Sequence, residues 1–299
     1  EPEDRPDLWP TTARRTPDGE LALGGLTVSE ILADAPSPVF VLDEADLRGR
    51  AASWSAAMAE EFWSGYGLRG GEAFYAGKAF LTTQVARIVL QEGMGIDTAS
   101  RVELAVGLAG LEKVDGPEAT THARRLGLHG NGKTPAEVTT AVRHRVGHLV
   151  IDSPEEVDHA VAAVHELRRS GDFGADERAR VMVRLTTGIH AGGHEYISTA
   201  HEDQKFGLSV STGAARRTID AIMAAEELEL AGLHSHIGSQ ILDLAGFREA
   251  VGVVLGLRHE IAVDTGHLCP EIDLGGGYGI AYTGADPVAP SPAQVARAL

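Results

Sequence analysis

A single cysteine, Cys269, stands among 299 residues, so no disulfide can close within the chain and no cysteine-based zinc spacing exists. The thiol fits a reducing compartment and reads as a small residue packed beside Pro270. Basic residues are scarce beside acids, 26 lysines and arginines against 43, which gives a formal charge of −17. That charge disfavours nonspecific contact with nucleic acid or an anionic membrane, both polyanions. No apolar run approaches the roughly 18 to 20 residues of a membrane span. The acidic, proline-bearing start EPEDRPDLWP is unlike a secretory signal. The expectation is a cytoplasmic protein acting on a small molecule, without membrane or nucleic acid.

What is present is a globular composition, 43% apolar and 23% charged, in a repeating order. Residues 1–36 read as a polar, loop-like extension, and SPVFVLDE (37–44) as a strand leading into an alanine-rich helix that ends near residue 63. From 64 to 299 short apolar runs alternate with helical stretches: FYAGKAF (74–80), GMGIDTA (93–99), RLGLHGN (125–131), GHLVIDS (147–153), RVMVRLTTG (180–188), LELAGLHSHIGS (228–239) and PEIDLGGGYG (270–279). Alternation of this kind demands a parallel sheet. Polar residues at the ends of nearly every run favour a (β/α)8 barrel over an open sheet, since barrel chemistry sits on those ends. Seven units are visible, so the barrel is expected to be incomplete. The first residue is Glu1 rather than methionine, and SPAQVARAL opens a helix at Ser291 and Pro292 with no stop signal, so the chain reads as cut at both ends.

Several residues at the run ends carry chemistry. Lys78 stands near the end of the first barrel run; a partly desolvated lysine holds some neutral amine, which condenses with an aldehyde to a Schiff base. A lysine that pairs with an acid is the plainer alternative. His234 and His236 fall on one face by strand alternation, open to three readings: a packed pair, metal ligands, or one imidazole against a flat cofactor ring with Ser239 donating to an anion. Gly275, Gly276 and Gly277 make a backbone cradle for phosphate where barrels commonly hold one, or else a tight turn. Asp97 either balances Lys78 or caps a helix. Arg184 and Lys205 are weaker candidates. GLHGNGKT (127–134) matches a nucleotide-binding P-loop, yet Gly127 lies within the strand and leaves too little loop to wrap a triphosphate.

Together YAGKAF, HSHIGSQ and DLGGG, with LWPTTARR, PVFVLDEADLRGRA, GLHGN and HEYISTAHEDQKFGLS, resemble the fold-type III, alanine-racemase-like enzymes that use pyridoxal 5'-phosphate, and most closely the diaminopimelate decarboxylase family. The resemblance implies an alanine-racemase-type barrel with Lys78 carrying the cofactor. It further implies that His236 stacks on the ring, that Asp97 lies near the lysine, and that Ser239 and Gly275, Gly276 and Gly277 hold the phosphate, with no metal. It implies decarboxylation of meso-2,6-diaminopimelate to L-lysine by a homodimer. Three stretches depart from the family pattern, ASRVEL (99–104), NGKT (131–134) and TTGIHAGGHEY (186–196), which leaves other basic amino acids, or a non-catalytic barrel, as alternatives. The eighth strand and a C-terminal β-domain of the family are absent from these residues, so the chain alone is expected to be inactive.

Overall fold

The computed structural model describes residues 2–5, 7–35, 37–62, 68–189 and 206–299. Three short strands, β1 (Arg14–Arg15), β2 (Leu21–Leu23) and β3 (Leu26–Thr27), pair antiparallel and lead into α1 (Val28–Asp34). The loop expected over 1–36 is therefore corrected. Strands of two or three residues are too short to show a periodicity, although Thr27 and Glu30 do form a capping box that starts α1.

The strand expected within 37–44 is a second correction. Residues 39–43 belong to no strand, and Val39, Phe40, Val41 and Leu42 are all exposed, Phe40 fully. An apolar run becomes a strand only beside a partner, and no described strand lies along it. Its last residue, Asp43, accepts a hydrogen bond from the Asp46 amide at 2.9 Å and so starts α2 (Glu44–Glu61).

The repeating region begins with β4 (Phe74–Ala76), α3 (Thr83–Gln91), β5 (Gly95–Thr98), α4 (Arg101–Asp115), β6 (Leu126–Leu128) and α5 (Pro135–Arg143). It continues with β7 (His148–Ile151), α6 (Glu155–Ser170), β8 (Ala179–Thr186), β9 (Leu208–Ser209) and α7 (Ala214–Ala224). It closes with β10 (Leu228–Ser235), α8 (Ala245–Thr265), β11 (Glu271–Asp273) and α9 (Pro292–Ala298). Local chemistry sets the helix starts: Thr134 with Glu137 and Ser291 with Gln294 form capping boxes, each followed by proline at the first helical position.

The strands lie in the order β11-β10-β8-β7-β6-β5-β4, all parallel, with β9 added beside β8. Strand order follows chain order without a reversal, which is the winding of a barrel; a doubly wound sheet reverses at a switch point. The sheet curls strongly. His148 on β7 reaches both edges across the concave face, its ring 4.7 Å from that of Phe74 on β4 and its Nε2 3.3 Å from Glu271 on β11.

Side-chain alternation divides the core. Ile96, Leu126, Leu128, Leu149, Ile151, Val181, Val183 and Leu233 face the helices and pack with Val85, Leu104, Val138, Val157, Ile219 and Val254. Val150, Met182 and Ala231 form a separate small cluster. Cys269 is fully buried, as expected for a small packed residue. Among the described residues no helix is long and apolar enough to cross a membrane.

Candidate active site

β4 is only three residues long, and the chain then tightens into a 3-10 turn over Gly77–Ala79, closed by the Tyr75 hydroxyl donating to the Phe80 carbonyl at 2.8 Å. Lys78 sits on that turn, two residues beyond the strand on which it was expected. It is exposed rather than desolvated, which corrects the sequence-based expectation. A Cβ at the preceding Gly77 would come 2.9 Å from the Asp97 carbonyl, so glycine lets the turn lie against β5. Asp97 and His236 are both within electrostatic reach of the Lys78 ammonium.

Asp97, on β5, is half-buried on the concave side. Its room comes from β6: a Cβ at Gly127 would approach Asp97 Oδ1 to 2.6 Å. His129, just past β6, places Nε2 3.0 Å from the same oxygen. Burial alone raises a carboxyl pKa, but here the adjacent His129 charge outweighs it, and Asp97 is held below the usual carboxylate range. Burial likewise opposes charge on His129, and Asp97 overcomes it, raising the imidazole. Asp273 ends β11 close by; burial and then the Asp97 charge push its carboxyl up.

His234 and His236 face the concave side together, as alternation requires. His234 is 3% exposed and lies edge-on to His129, with ring centroids 4.9 Å apart. Polar atoms of His129, His234 and Asp273 fall within 4.8 Å of one another, so β6, β10 and β11 share one floor. His236 is half-buried. Burial first, then the charges of Arg184 and Lys78, lowers its pKa to about 4, so it is a neutral ring at ordinary pH.

The loops after β10 and β11 are joined by backbone amides that donate to the other loop. The Gly276 amide donates to His236 Nδ1 at 3.4 Å, the Ile241 amide to the Gly277 carbonyl at 2.9 Å, and the Gly279 amide to the Ile241 carbonyl at 2.8 Å. Asp273 Oδ1 accepts from the Gly275 amide at 2.7 Å. Gly275 and Gly277 have φ of 67° and 97°, and a Cβ on either would strike backbone, Ser235 O at 2.5 Å or Gly238 O at 2.0 Å. Gly276 differs: nothing lies within 4 Å of where its Cβ would be. Ser239 is exposed on the facing loop. Behind this pair of loops Tyr278 stacks between Trp54 of α2 and Phe247 of α8, at 5.3 and 4.9 Å.

Arg184 is engaged structurally. Its Nη1 is 3.4 Å from Asp152 Oδ1, which also accepts from the Gly207 amide at 3.2 Å, and its guanidinium lies over the Phe206 ring. Lys205, the 190–196 part of TTGIHAGGHEY and the substrate-side stretch up to 205 lie outside the described residues. The P-loop-like lysine, Lys133, is withdrawn from any ligand: its ammonium is 2.7 Å from Glu156, both side chains at most 3% exposed, and it donates to the Gly130 carbonyl. Sequence reasoning overlooked His129 and Asp273. The alternation that selects His234 and His236 also selects His129, two residues beyond the inward-facing Gly127.

The pyridoxal-dependent decarboxylase family, through its pyridoxal binding domain, matches residues 46–298. The chain belongs to this family. Diaminopimelate decarboxylase of Mycobacterium tuberculosis is 39% identical over 288 residues, 94% of this chain and 58% of its own length. That of Bacillus subtilis is 33% identical over 275 residues, 92% of this chain and 57% of its length. The chain thus spans somewhat over half the length of the curated relatives it matches. The crystal structure of diaminopimelate decarboxylase from M. jannaschii superposes with a TM-score of 0.82 at 25% identity, covering 97% of this chain and 62% of that one. The curled parallel sheet is accordingly the pyridoxal-phosphate-binding barrel fold of these enzymes.

The residues present fit the cofactor. An exposed primary amine, a neutral imidazole and a glycine with open space beside its Cα line one mouth. Gly276 keeps space that no part of the protein fills.

Proposed function

We propose that the protein decarboxylates meso-2,6-diaminopimelate to L-lysine and carbon dioxide with pyridoxal 5'-phosphate as cofactor. The carrying observation is the meeting of Lys78, Asp97, His236 and the glycine loop at one mouth of a family member's barrel. The substrate assignment is supported by relatives named diaminopimelate decarboxylase at 39% identity and by the M. jannaschii enzyme in co-complex with L-lysine. In this reading Lys78 holds the cofactor aldehyde, Ser239 with Gly275, Gly276 and Gly277 holds the phosphate, and His236 faces the ring. The bound cofactor supplies an electron sink for the bond that releases carbon dioxide. His236, being neutral, presents a flat face without adding positive charge. Asp97, ionised, balances the positive nitrogen at Lys78.

The reading extends to a cytoplasmic homodimer that handles a small amino acid and neither membrane nor nucleic acid; the charge of −17 supports the last point. It divides the chain into an extension (1–36), a lead-in (37–63) and the cofactor barrel (64–299). Borohydride reduction with pyridoxal phosphate, followed by peptide mass spectrometry, tests the site: modification at Lys78 is expected, and its loss in Lys78→Ala. Attachment at another lysine in the unsubstituted chain would overturn the assignment. Carbon dioxide release from meso-2,6-diaminopimelate against L-ornithine and L-lysine decides the substrate.

A further inference from the structure

We propose that His129, just beyond β6, is a positioning residue for this site: its imidazole fixes the Asp97 carboxylate beside Lys78 and keeps it ionised. The inference deepens the functional reading above and rests on it for the role of Lys78.

Geometry carries the argument. His129 Nε2 stands 3.0 Å from Asp97 Oδ1. Gly127 leaves empty the space beside that oxygen, where a Cβ would intrude to 2.6 Å, so the carboxylate turns into β6 and meets the imidazole. His234, 3% exposed and edge-on at 4.9 Å, limits where the His129 ring can go. The shared floor also holds Asp273. Two carboxylates in one poorly solvated patch resist ionising together, and a cationic imidazole beside Asp97 resolves the conflict in favour of Asp97. The opposite displacements of the two carboxyls, Asp97 down and Asp273 up, agree with this division. The other groups facing the pair are His148 from β7, Arg184 from β8, His234 and His236 from β10 and its loop, and Lys78 across the mouth. Arg184 repels a proton on His129, and Asp273 attracts one.

Side-chain NMR titration of the cofactor-free 299-residue chain tests the pair directly. His129 is expected to titrate above the ordinary 6.5 and Asp97 below 3.8; a His129 at or below 6.5 overturns the proposal without any variant. In His129→Gln, which keeps a hydrogen-bond donor without the charge, Asp97 should titrate higher by about one pH unit or more, a roughly tenfold loss of preference for the ionised form. An unmoved Asp97 overturns it.

Borohydride trapping of pyridoxal phosphate across pH supplies the second readout. Below the Asp97 pKa the neutral carboxyl no longer balances the cationic linkage at Lys78, so the acid limb of trapping should move up with His129→Gln. In an Asp97→Asn background the same substitution should add nothing. An added loss there means that His129 acts other than through Asp97 and sinks the proposal. Trapping of the unsubstituted chain away from Lys78 refutes the functional reading instead, and leaves the NMR result to decide His129 by itself.

Discussion

Lys133 and Glu156 form an ion pair almost sealed from water, and the Glu156 carboxylate also accepts from the Lys133 and Asp152 amides at 3.2 and 2.8 Å. Removing one partner of such a pair strands the other charge, which costs far more than the intact pair contributes. Lys133→Met is therefore expected to lower unfolding stability by about 3–5 kcal/mol, read from denaturant midpoints, with no change in any magnesium-ATP binding, since the ammonium is already taken by Glu156 and the Gly130 carbonyl. That Lys78, Asp97 and His236 gather at one mouth was legible because a barrel displays its strand ends, and strand ends can be counted along a sequence. Alternation points to His129 as well, but what His129 and Asp273 do depends on whom they meet across the concave face. Asp97 and Asp273 lie on β5 and β11, far apart in the chain, and only the curl of the sheet brings them to one floor.

At the scale of elements, the glycine loop after β11 separates two reasons for having glycine. Gly277→Ala would place a methyl 2.0 Å from the Gly238 carbonyl at a φ of 97°, so the two loops must part. A lowered melting temperature and faster exchange of the Ile241 amide, now bonded to Gly277, are expected. Gly276→Ala meets nothing within 4 Å and should leave stability within about 0.5 kcal/mol while weakening pyridoxal phosphate binding. Equal damage to binding and stability at both positions would show that the loop is a turn and nothing more. The helices were legible from caps and periodicity. The stretch at 38–43 was misread because β propensity measures fit to a neighbour, and its apolar side chains have none among the described residues.

At the scale of the whole molecule, the exposed row Val39, Phe40, Val41 and Leu42 is the kind of contiguous apolar surface that associates. The strands at the two ends of the sheet, β4 and β11, each pair on one side among the described residues, which adds unpaired backbone. The chain is expected to self-associate, more readily as salt screens its charge of −17. Phe40→Ser should reduce light scattering without altering far-ultraviolet circular dichroism; scattering unchanged by that substitution would place the sticky surface elsewhere. The overall winding was readable because a monotonic succession of strand and helix admits few topologies.

The burial of Lys133 has a practical sequel. The chain contains four lysines, Lys78, Lys113, Lys133 and Lys205, and Lys78 and Lys113 are exposed while Lys133 is closed in. An amine-acylating reagent will mark the open pair at once and reach Lys133 only when the barrel breathes apart. The rate at which that one amine is marked is a clock for the opening of the fold, built into the sequence and needing no introduced label.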